Sequence, residues 1–298
     1  MRLAAIDIGS NAARLLISDV IPGTRTNPEF VKVALVRVPL RLGFDVFDKG
    51  EISPLKSDKI IKTIKSYKYL LDVYEVKHLK ACATSAMRDA VNAREILKKI
   101  KSETGIQIEV ISGQQEASLI YENHVAENLN KDESYLYIDV GGGSTELTFF
   151  SDGKLIFKES FDIGTIRLLK NQVTEAQWDE MKEFIKTKTK GYHHVTAIGS
   201  GGNINKIFSL SKRKEGKPLS LELLRDYYKE FSTLSVSQRI SLYHLREDRA
   251  DVIVPALLIY INVMRWADTE EIFVPKIGLA DGLIHTLYEE VRLQNIEV

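Results

Sequence analysis

Two glycine-containing segments, repeated at a fixed spacing, constrain the fold of this chain more than any other feature. The second, Tyr137 to Phe150, reads YIDVGGGSTELTFF, and the first, Ala5 to Ile17, reads AIDIGSNAARLLI. Laying Asp7 on Asp139 (139 − 7 = 132) also brings the following glycine and the flanking apolar residues into register. Each segment has an apolar strand, a short loop with glycine and a second strand, which is the pattern of a β-hairpin. Two such hairpins in register predict an internal duplication.

The loop of the second hairpin has the composition of an anion-binding loop. Gly141, Gly142 and Gly143 have no Cβ, so their backbone N–H groups can surround an anion that a side chain would keep away. A carboxylate such as Asp139 would repel a phosphate there unless a cation lay between them, and Mg²⁺ binds one or two carboxylates together with substrate oxygens. The alternative is an ordinary tight hairpin with Asp in a turn role. The repetition in register favours a site for phosphate and Mg²⁺.

Composition and charge limit the partners of the chain. With 298 residues it is long enough for two domains. Its 41 basic and 41 acidic side chains give zero net charge, so a polyanion would need a local patch, and no DNA or RNA partner is expected. The single Cys82 rules out an intrachain disulfide and fits a reducing compartment. Asp7 interrupts any apolar leader, and the stretch from Val252 to Trp266 is too short to span a bilayer, so we expect a cytoplasmic protein without a membrane partner.

The predicted elements of the first half follow the order βββαβαβα, which indicates an α/β fold. This is the order of the ribonuclease-H-like unit, a mixed sheet with helices on both faces. The predicted strands are Leu3 to Ile8, Arg14 to Val20, Phe30 to Val38, Leu79 to Ala83 and Ile106 to Ile111; the predicted helices are Ser57 to Tyr74, Ser85 to Lys101 and Gly113 to about Asn128.

The second half repeats this order, with strands from Tyr135, helical sequence from Ile166 to Lys190 and a last helix from about Leu279. We predict an N-terminal domain of residues 1–130 and a C-terminal domain of residues 131–298 with a helical insertion at about 219–266. The boundary falls in the polar stretch Asn128 to Asp132, and the last helix is a candidate to pack back on the first domain. Two ribonuclease-H-like domains make the actin-like ATPase architecture, whose ligand lies in an interdomain cleft. The two hairpins would face each other across that cleft.

Glu116 stands in the first turn of the helix that opens with SGQQEASLIY. An acid at this position is most commonly explained by helix capping and by the helix dipole. However, the junction between a strand and a helix lies at the carboxyl end of the sheet, where open α/β sheets bind ligands. A carboxylate there could orient and deprotonate a water molecule for attack on phosphorus.

Two further segments carry candidate phosphate-binding groups. Arg88 follows a predicted strand and could bind two phosphate oxygens, although an ion pair with Asp89 or Glu95 is the alternative. Gly201 and Gly202 lie in AIGSGGNINKI, a strand, glycine loop and helix, which is a second geometry suited to an anion or a nucleotide. Glycine at such a turn can also serve packing alone.

Together these motifs resemble the exopolyphosphatase and guanosine pentaphosphate phosphohydrolase (Ppx/GppA) family, in its short two-domain form, within the actin, Hsp70 and sugar-kinase superfamily. The resemblance extends over nearly the whole chain, through AIDIGSN, RLGFDVF, ATSAMRDA, ISGQQEASLIY, YIDVGGGSTEL, RADVIVPALLI and GLADGL. It implies a hydrolase of phosphoanhydrides and a homodimer.

The resemblance also implies roles for individual residues. Glu116 corresponds to the catalytic base, and Asp139 and Glu146 correspond to the Mg²⁺ carboxylates, with Asp7 completing the acidic cluster directly or through water. Arg88 corresponds to a phosphate clamp. The remaining phosphate-binding positions are Ser10, Asn11, Gly141, Gly142, Gly143, Ser144, Gly201 and Gly202.

Three departures from the family pattern leave the substrate open. Ala12 replaces a serine, GSGGNINKI replaces a segment with a Gly-Gly-Thr core, and GLADGL replaces Gly-Leu-Arg-Glu-Gly, so that Ala280 and Asp281 stand for an Arg-Glu pair. The sequence favours release of terminal phosphate from inorganic polyphosphate. Guanosine pentaphosphate is the rival substrate, and a slow-turnover binding or regulatory protein and a kinase or ATPase of the same superfamily are the alternative classes.

Overall fold

The computed structural model describes residues 1–21, 28–121, 133–192, 194–275 and 278–294, and it shows an α/β protein with two mixed sheets. The chain divides into two compact units: the first contains Met1–Asn123 and Leu279–Val298, and the second contains His124–Gly278. The C-terminal helix therefore belongs to the first unit. The predicted boundary at Asn128 to Asp132 lies outside the described residues.

The first unit contains a five-stranded sheet in the order β3-β2-β1-β4-β5. Strands β1, β2 and β3 are antiparallel neighbours, whereas β4 runs parallel to β1 and β5 runs parallel to β4. This arrangement is that of the predicted ribonuclease-H-like unit. Its elements are β1 (Arg2–Ile8), β2 (Ala12–Ile21), β3 (Glu29–Pro39), α1 (Gly43–Lys49), α2 (Pro54–Val73), β4 (His78–Ala83), α3 (Ser85–Asp89), α4 (Ala93–Thr104), β5 (Glu109–Val110), α5 (Gly113–Tyr121) and the C-terminal helix α13 (Leu279–Gln294).

Helix α13 covers one face of the first sheet because its apolar positions recur at helical spacing. Leu283, Ile284 and Leu287 are buried in one cluster with Leu3 and Leu16 of the sheet. Two ion pairs fix the same helix to the strands, Asp281 with Lys32 at 2.6 Å and Glu290 with Lys80. Asp281, which departs from the family pattern, thus has a role in attaching α13.

The second unit contains a six-stranded sheet in the order β10-β11-β9-β6-β7-β8. Strands β6, β7 and β8 are antiparallel neighbours, and β9 runs parallel to β6, as β4 does to β1. The elements are β6 (Ser134–Val140), β7 (Thr145–Ser151), β8 (Lys154–Phe161), α6 (Thr165–Leu169), α7 (Glu175–Thr189), β9 (Val195–Ser200), α8 (Gly202–Ser211), β10 (Leu219–Ser220), α9 (Leu221–Thr233), α10 (Val236–Tyr243), α11 (Glu247–Ala250), α12 (Ile253–Trp266) and β11 (Glu271–Phe273).

The core of the second unit is organised around α12, which is apolar on nearly all sides. Ten of its residues are buried, among them Ala256, Tyr260 and Val263, and they pack with the sheet residues Leu136 and Ile138. A helix that is apolar all round belongs in the interior of a protein. Among the described residues, no helix is long and apolar enough to cross a membrane.

The predicted duplication extends to an irregularity of the sheets. The register of β2 against β3 shifts between Ile17 and Ser18, and the register of β7 against β8 shifts between Phe149 and Phe150. These positions are also 132 residues apart (149 − 17 = 132). A β-bulge at the same place in both units supports a common origin of the two three-stranded segments, because bulges are specific features of a fold.

The structure corrects several predicted elements. The helix predicted from Ser85 to Lys101 is two helices, because Ala90 is extended and the Val91 N–H donates to the carbonyl of Gly50. The stretch from Ile166 to Lys190 is likewise broken, because Asn171 takes a left-handed backbone conformation and Thr174 starts a new helix with a capping box.

Three further predictions differ in extent. The strand predicted from Ile106 to Ile111 is only Glu109–Val110, at the edge of its sheet. Helix α1, in the RLGFDVF motif, was not predicted, since seven residues are too few for a periodic pattern. The helix predicted to reach Asn128 is described only as far as Tyr121.

Candidate active site

Two carboxylates lie directly opposite each other in the second hairpin. Asp139 near the end of β6 and Glu146 near the start of β7 are partners in the antiparallel register, and one carboxylate oxygen of each lies within 4.8 Å of the other. The Glu146 residue is only 3% exposed, and its Oε1 accepts a hydrogen bond of 3.0 Å from the hydroxyl of Ser160. Like charges directly opposite on neighbouring strands are destabilising. Two oxygen ligands held this way fit a hard divalent cation such as Mg²⁺, which would neutralise them.

The carbonyl groups of Gly141, Gly142 and Gly143 in the glycine loop all accept hydrogen bonds from the start of α6. The Gly141 carbonyl accepts from the Thr165 N–H at 3.0 Å, and the Gly142 carbonyl accepts from the Ile166 N–H at 2.8 Å. The Gly143 carbonyl accepts from Nε of Arg167 at 2.8 Å. The start of α6 therefore holds three consecutive carbonyls of the loop.

The direction of these carbonyls fixes the direction of the loop N–H groups. In a planar trans peptide unit the C=O and the following N–H point to opposite sides. The N–H groups of Gly142, Gly143 and Ser144 therefore point away from α6, together on the other side of the loop. Successive backbone N–H groups on one side of a loop are the donors that an anion-binding nest uses. The role of this loop in binding phosphate remains a prediction.

Gly164 permits this close approach of α6 to the loop. A Cβ at Gly164 would overlap the backbone of Gly142 and Gly143. Neither Gly164 nor Arg167 was singled out from the sequence. The only signal was a glycine before the predicted helix in DIGTIRLL, which on its own is common at helix starts.

The second glycine segment approaches Asp139 in the same unit. Gly201 has a φ of +104°, a conformation that disfavours other residues, and a Cβ there would lie 3.0 Å from Oδ1 of Asp139. Gly202 begins α8, and the buried hydroxyl of Tyr260 donates to the Ser200 carbonyl beside them. Burial, with a contribution from the nearby Asp139, raises the pKa of Tyr260 well above its ordinary value. Tyr260 therefore stays a neutral hydrogen-bond donor.

In the first hairpin, the corresponding aspartate is in an ion pair. Asp7 is 2% exposed, and its Oδ2 lies 2.6 Å from Nη1 of Arg14 on the neighbouring strand. The hydroxyl of Ser10 is buried and lies 2.7 Å from the hydroxyl of Ser85. The Asn11 carbonyl accepts from two main-chain N–H groups. The structure thus gives Asp7 and Ser10 partners within the first unit, while their predicted roles remain predictions.

Helix α5 does not need Glu116 as a cap. Its first turn is capped by Ser112, whose Oγ accepts from the Gln115 N–H at 3.2 Å, while the Gln115 side chain accepts from the Ser112 N–H at 2.8 Å. This reciprocal pair is a capping box. Glu116 is only 8% exposed, so it is not a surface carboxylate placed at the helix start for its interaction with the helix dipole.

Cys82 lies near these carboxylates. Burial, with contributions from Asp7 and Glu116, raises the pKa of Cys82 well above its ordinary value, so Cys82 stays a thiol.

Arg88 contacts the segment that leads to the same helix. Its Nη1 donates to the Ile111 carbonyl at 3.1 Å, and its Nε lies 3.9 Å from Asp89. The weak contact with Asp89 corresponds to the alternative considered from the sequence. Arg88 therefore connects α3 to the start of α5, and its predicted role as a phosphate clamp remains a prediction.

Comparisons with known proteins agree with this arrangement. Residues 25–290 match the model of the Ppx/GppA phosphatase family. The chain is similar to a bifunctional 3-dehydroquinate synthase/phosphatase from Fusobacterium nucleatum, with 29% identity over 80% of the chain, but it spans only 35% of that relative. It is 25% identical to exopolyphosphatase 1 of Mycobacterium tuberculosis, over 95% of the chain and 87% of the relative.

A solved structure shows the same fold. The crystal structure of an exopolyphosphatase from Cytophaga hutchinsonii matches with a TM-score of 0.83 and 26% identity, over 97% of this chain and 98% of that one. The predicted fold class, an α/β protein with two actin-like domains, is thereby confirmed. Since the family model covers most of the sequence, the chain belongs to the Ppx/GppA phosphatase family and is a phosphohydrolase.

Proposed function

We propose that this phosphohydrolase releases the terminal phosphate of inorganic polyphosphate in a Mg²⁺-dependent reaction. The observation that carries the proposal is the second hairpin, in which the Asp139 and Glu146 carboxylates lie beside three outward-pointing N–H groups. The names of the relatives, exopolyphosphatase in M. tuberculosis and in C. hutchinsonii, support polyphosphate as the substrate.

The residues of the second unit would bind the terminal phosphoryl group. Asp139 and Glu146 would hold Mg²⁺, which when bound supplies positive charge to the phosphoryl oxygens. The N–H groups of Gly142, Gly143 and Ser144 would donate to the same group as negative charge develops on it. Fixed donors of this kind stabilise a transition state without having to reorient during the reaction. Gly201 and Gly202 lie beside Asp139 and have no Cβ, so the next phosphate of the substrate could approach their main chain closely.

The residues of the first unit would supply the water and hold the rest of the chain of phosphates. Glu116 would accept a proton from the attacking water, as a carboxylate within reach of the reacting group can. Asp7, already paired with Arg14, would contact the ion only through water. Arg88 and the loop of Ser10 and Asn11 would contact further phosphates, the latter through backbone N–H groups.

Phosphate release from long-chain polyphosphate, measured with and without Mg²⁺, tests the reaction. We expect many turnovers that require the metal. Glu116→Gln should lower kcat roughly 10²- to 10⁴-fold, the usual contribution of general acid–base catalysis, without changing the melting temperature by more than a few degrees. Gln114→Ala, an exposed change in the same helical turn, is the matched control. A wild-type rate in Glu116→Gln would remove Glu116 from the mechanism.

Guanosine pentaphosphate is the second candidate substrate, since the matched family also contains enzymes of the GppA type. Rates on polyphosphate, guanosine pentaphosphate and ATP, measured side by side, decide between them. We expect the highest kcat/KM with polyphosphate. Tight binding of one of these compounds without any turnover at stoichiometric enzyme would instead support a regulatory protein.

We also propose a cytoplasmic location, from the apolar pattern of the sequence, and a homodimer, from the family resemblance. Cell fractionation and light scattering coupled to size exclusion test these two statements. Recovery of the protein in a secreted or membrane fraction would contradict the first, and a mass of one chain at micromolar concentration would contradict the second.

A further inference from the structure

The carbonyls of the glycine loop accept hydrogen bonds from two kinds of donor in the first turn of α6. Main-chain N–H groups donate to the first two carbonyls: Thr165 to Gly141, and Ile166 and Arg167 to Gly142. A side chain donates to the last one, since Nε of Arg167 donates to the carbonyl of Gly143. Main-chain donors depend on the fold of α6 alone, whereas the side-chain donor depends on the identity of one residue.

The carbonyl that Arg167 holds determines the direction of the last N–H of the nest. The C=O of Gly143 and the N–H of Ser144 belong to one planar peptide unit and point to opposite sides. With the carbonyl fixed by Arg167, the Ser144 N–H points away from α6, alongside those of Gly142 and Gly143. Without this bond, the unit could rotate, because glycine on its N-terminal side has few steric restrictions.

The surroundings of Arg167 favour a fixed guanidinium. Its side chain is only 16% exposed, and its Nη2 lies 3.6 Å from Oδ1 of Asp162 at the end of the preceding strand segment. A hydrogen bond from a charged donor is stronger than one between neutral groups. The hydrogen bond to the Gly143 carbonyl thus orients the planar group, while the exposed Asp162 supplies only a nearby negative charge.

In the first hairpin, main-chain donors alone bind the corresponding carbonyl. The Asn11 carbonyl, which corresponds to that of Gly143 (143 − 11 = 132), accepts from the main-chain N–H groups of Leu40 and Arg41 at 3.1 and 2.8 Å. The guanidinium of Arg41 lies instead over the ring of Phe44. Replacement of the Arg41 side chain therefore leaves both donors to Asn11 in place, and Arg41 offers a matched comparison.

We propose that Arg167 is a positioning residue for the phosphate nest: by holding the Gly143 carbonyl, it keeps the Ser144 N–H directed at the transferring phosphoryl group. The inference rests on the proposed function for its catalytic consequence, but its structural part does not. Arg167 itself contacts no substrate in this proposal. Its effect should therefore appear in phosphate binding and turnover and not in metal affinity.

The first test measures loop order by ¹⁵N relaxation in the full-length protein, without substrate. In Arg167→Gln we expect the order parameters of Gly143 and Ser144 to fall from the rigid range, about 0.85, toward about 0.6 or below, while those of β6 stay unchanged. In Arg41→Gln the order parameters of Ser10 to Ala12 should not change. Unchanged order of Gly143 and Ser144 in Arg167→Gln would overturn the proposal, whether or not the enzyme turns over.

The second test measures kinetics with polyphosphate and inhibition by inorganic phosphate. Arg167→Gln should lower kcat/KM and weaken phosphate inhibition roughly tenfold or more, as expected for a lost charged hydrogen bond, with half-saturating Mg²⁺ within about twofold of wild type. If Arg167 had a purely structural role, the variant would contain less active enzyme. The inhibition constant of phosphate and the half-saturating concentration of Mg²⁺ would then both stay at their wild-type values. An equal loss of Mg²⁺ affinity would also count against the proposal.

Two results would separate this proposal from the proposed function. If wild type hydrolyses none of the phosphoanhydrides, the proposed function fails, while the relaxation measurement still decides whether Arg167 orders the loop. If Arg167→Gln does not fold, Arg167→Met carries the same tests, because methionine keeps an unbranched stem of similar length but has no N–H donor. Wild-type loop order and kinetics in Arg167→Met would then overturn the proposal.

Discussion

The two hairpins have the same backbone and opposite charge arrangements. The Gly9 N–H donates to the Ala12 carbonyl at 3.0 Å, and the Gly141 N–H, 132 residues later, donates to the Ser144 carbonyl at 2.9 Å. Across the strands, however, Asp7 faces Arg14 in the first hairpin, whereas Asp139 faces Glu146 in the second.

One exchange at one position accounts for this difference, since Arg14 and Glu146 are also 132 residues apart (146 − 14 = 132). The first hairpin neutralises its aspartate within the protein. The second places two carboxylates opposite each other. The comparison teaches that one side chain is enough to change the charge of the same hairpin, from an internal ion pair in the first copy to two facing carboxylates in the second.

The largest effect is expected when the second hairpin is given the charge arrangement of the first. In Glu146→Arg the new guanidinium would pair with Asp139 and occupy the place of the cation. We expect phosphate release to fall roughly 10²-fold or more, because the charge stabilisation by a bound metal amounts to several kcal/mol. The rate against Mg²⁺ concentration measures it.

Glu146→Gln is the control for this exchange, because it removes one charge without adding another. It should retain a measurable Mg²⁺ dependence with a raised half-saturating concentration, and circular dichroism should show both variants folded. Normal Mg²⁺-dependent turnover in folded Glu146→Arg would contradict the assigned metal site.

A smaller effect is expected when the first hairpin loses its aspartate. Asp7→Asn breaks the pair with Arg14, and we expect half-saturating Mg²⁺ to rise by no more than about tenfold, the low end of the effect of residues that act on a metal through others. Stability should also decrease, since Arg14 then lacks its buried carboxylate. A rise as large as that in Glu146→Gln would make Asp7 a direct ligand.

The loop glycines at equivalent positions should differ in their tolerance of a methyl group. A Cβ at Gly141 would lie 3.1 Å from the Ser144 carbonyl oxygen, whereas one at Gly9 would lie 3.5 Å from that of Ala12, an ordinary contact. We expect Gly141→Ala to lower the free energy of unfolding by roughly 1 kcal/mol, and Gly9→Ala to change it by less than about 0.5 kcal/mol. Urea denaturation measures both, and equal losses would contradict this difference between the loops.

The smallest expected effect is on the stability of the protein at low pH. Lys56 donates both to the Arg41 carbonyl and to Asp45, each at 2.6 Å. Burial disfavours the charged Asp45, but the hydrogen bonds from Lys56 and Ser53 outweigh it and hold the pKa of Asp45 below its ordinary value of 3.8. This stabilisation is therefore present above pH 3.8 and is lost as the pH falls through the lower pKa of the folded protein.

Asp45→Asn should consequently reduce the loss of stability on acidification. We expect a shallower fall of the urea midpoint between about pH 5 and pH 3 in this variant than in wild type. The second hairpin is held by α6 without this pair, so hydrogen exchange in acid should increase first in the Ser10 to Ala12 loop. An identical acid dependence in both proteins would contradict the contribution of Asp45.

The sequence was sufficient for the features that repeat or that depend on local pattern. The 132-residue register predicted two units with the same strand order, which the two sheets show. The anion-binding role of the glycine run stays a prediction. The strand order followed from the order of the elements, because a ribonuclease-H-like unit has few alternative topologies. The aligned segments also show that Arg14 and Glu146 occupy equivalent positions. Only the strand register shows that each of them faces the aspartate of its own hairpin.

The remaining features depend on contacts between segments distant in sequence. Arg167 and Gly164 lie more than twenty residues from the loop that they support, and no local pattern connects them. The partner of Asp7 was not predicted, because the local sequence of a glycine hairpin does not show whether its acidic residue forms an ion pair. The break at Ala90 likewise arises from a hydrogen bond to Gly50, far along the chain.

The shared bulge has a consequence for the outer strands. In each unit it places an additional residue in the edge strand, Val33 in β3 and Ile156 in β8, opposite no partner in the register. Both are apolar and partly solvent-exposed, at 37% and 38%. A regular apolar edge would invite another chain to add a strand, whereas a bulge twists the edge and interrupts its row of donors and acceptors. The same bulge thus interrupts the exposed edge of both sheets at equivalent positions.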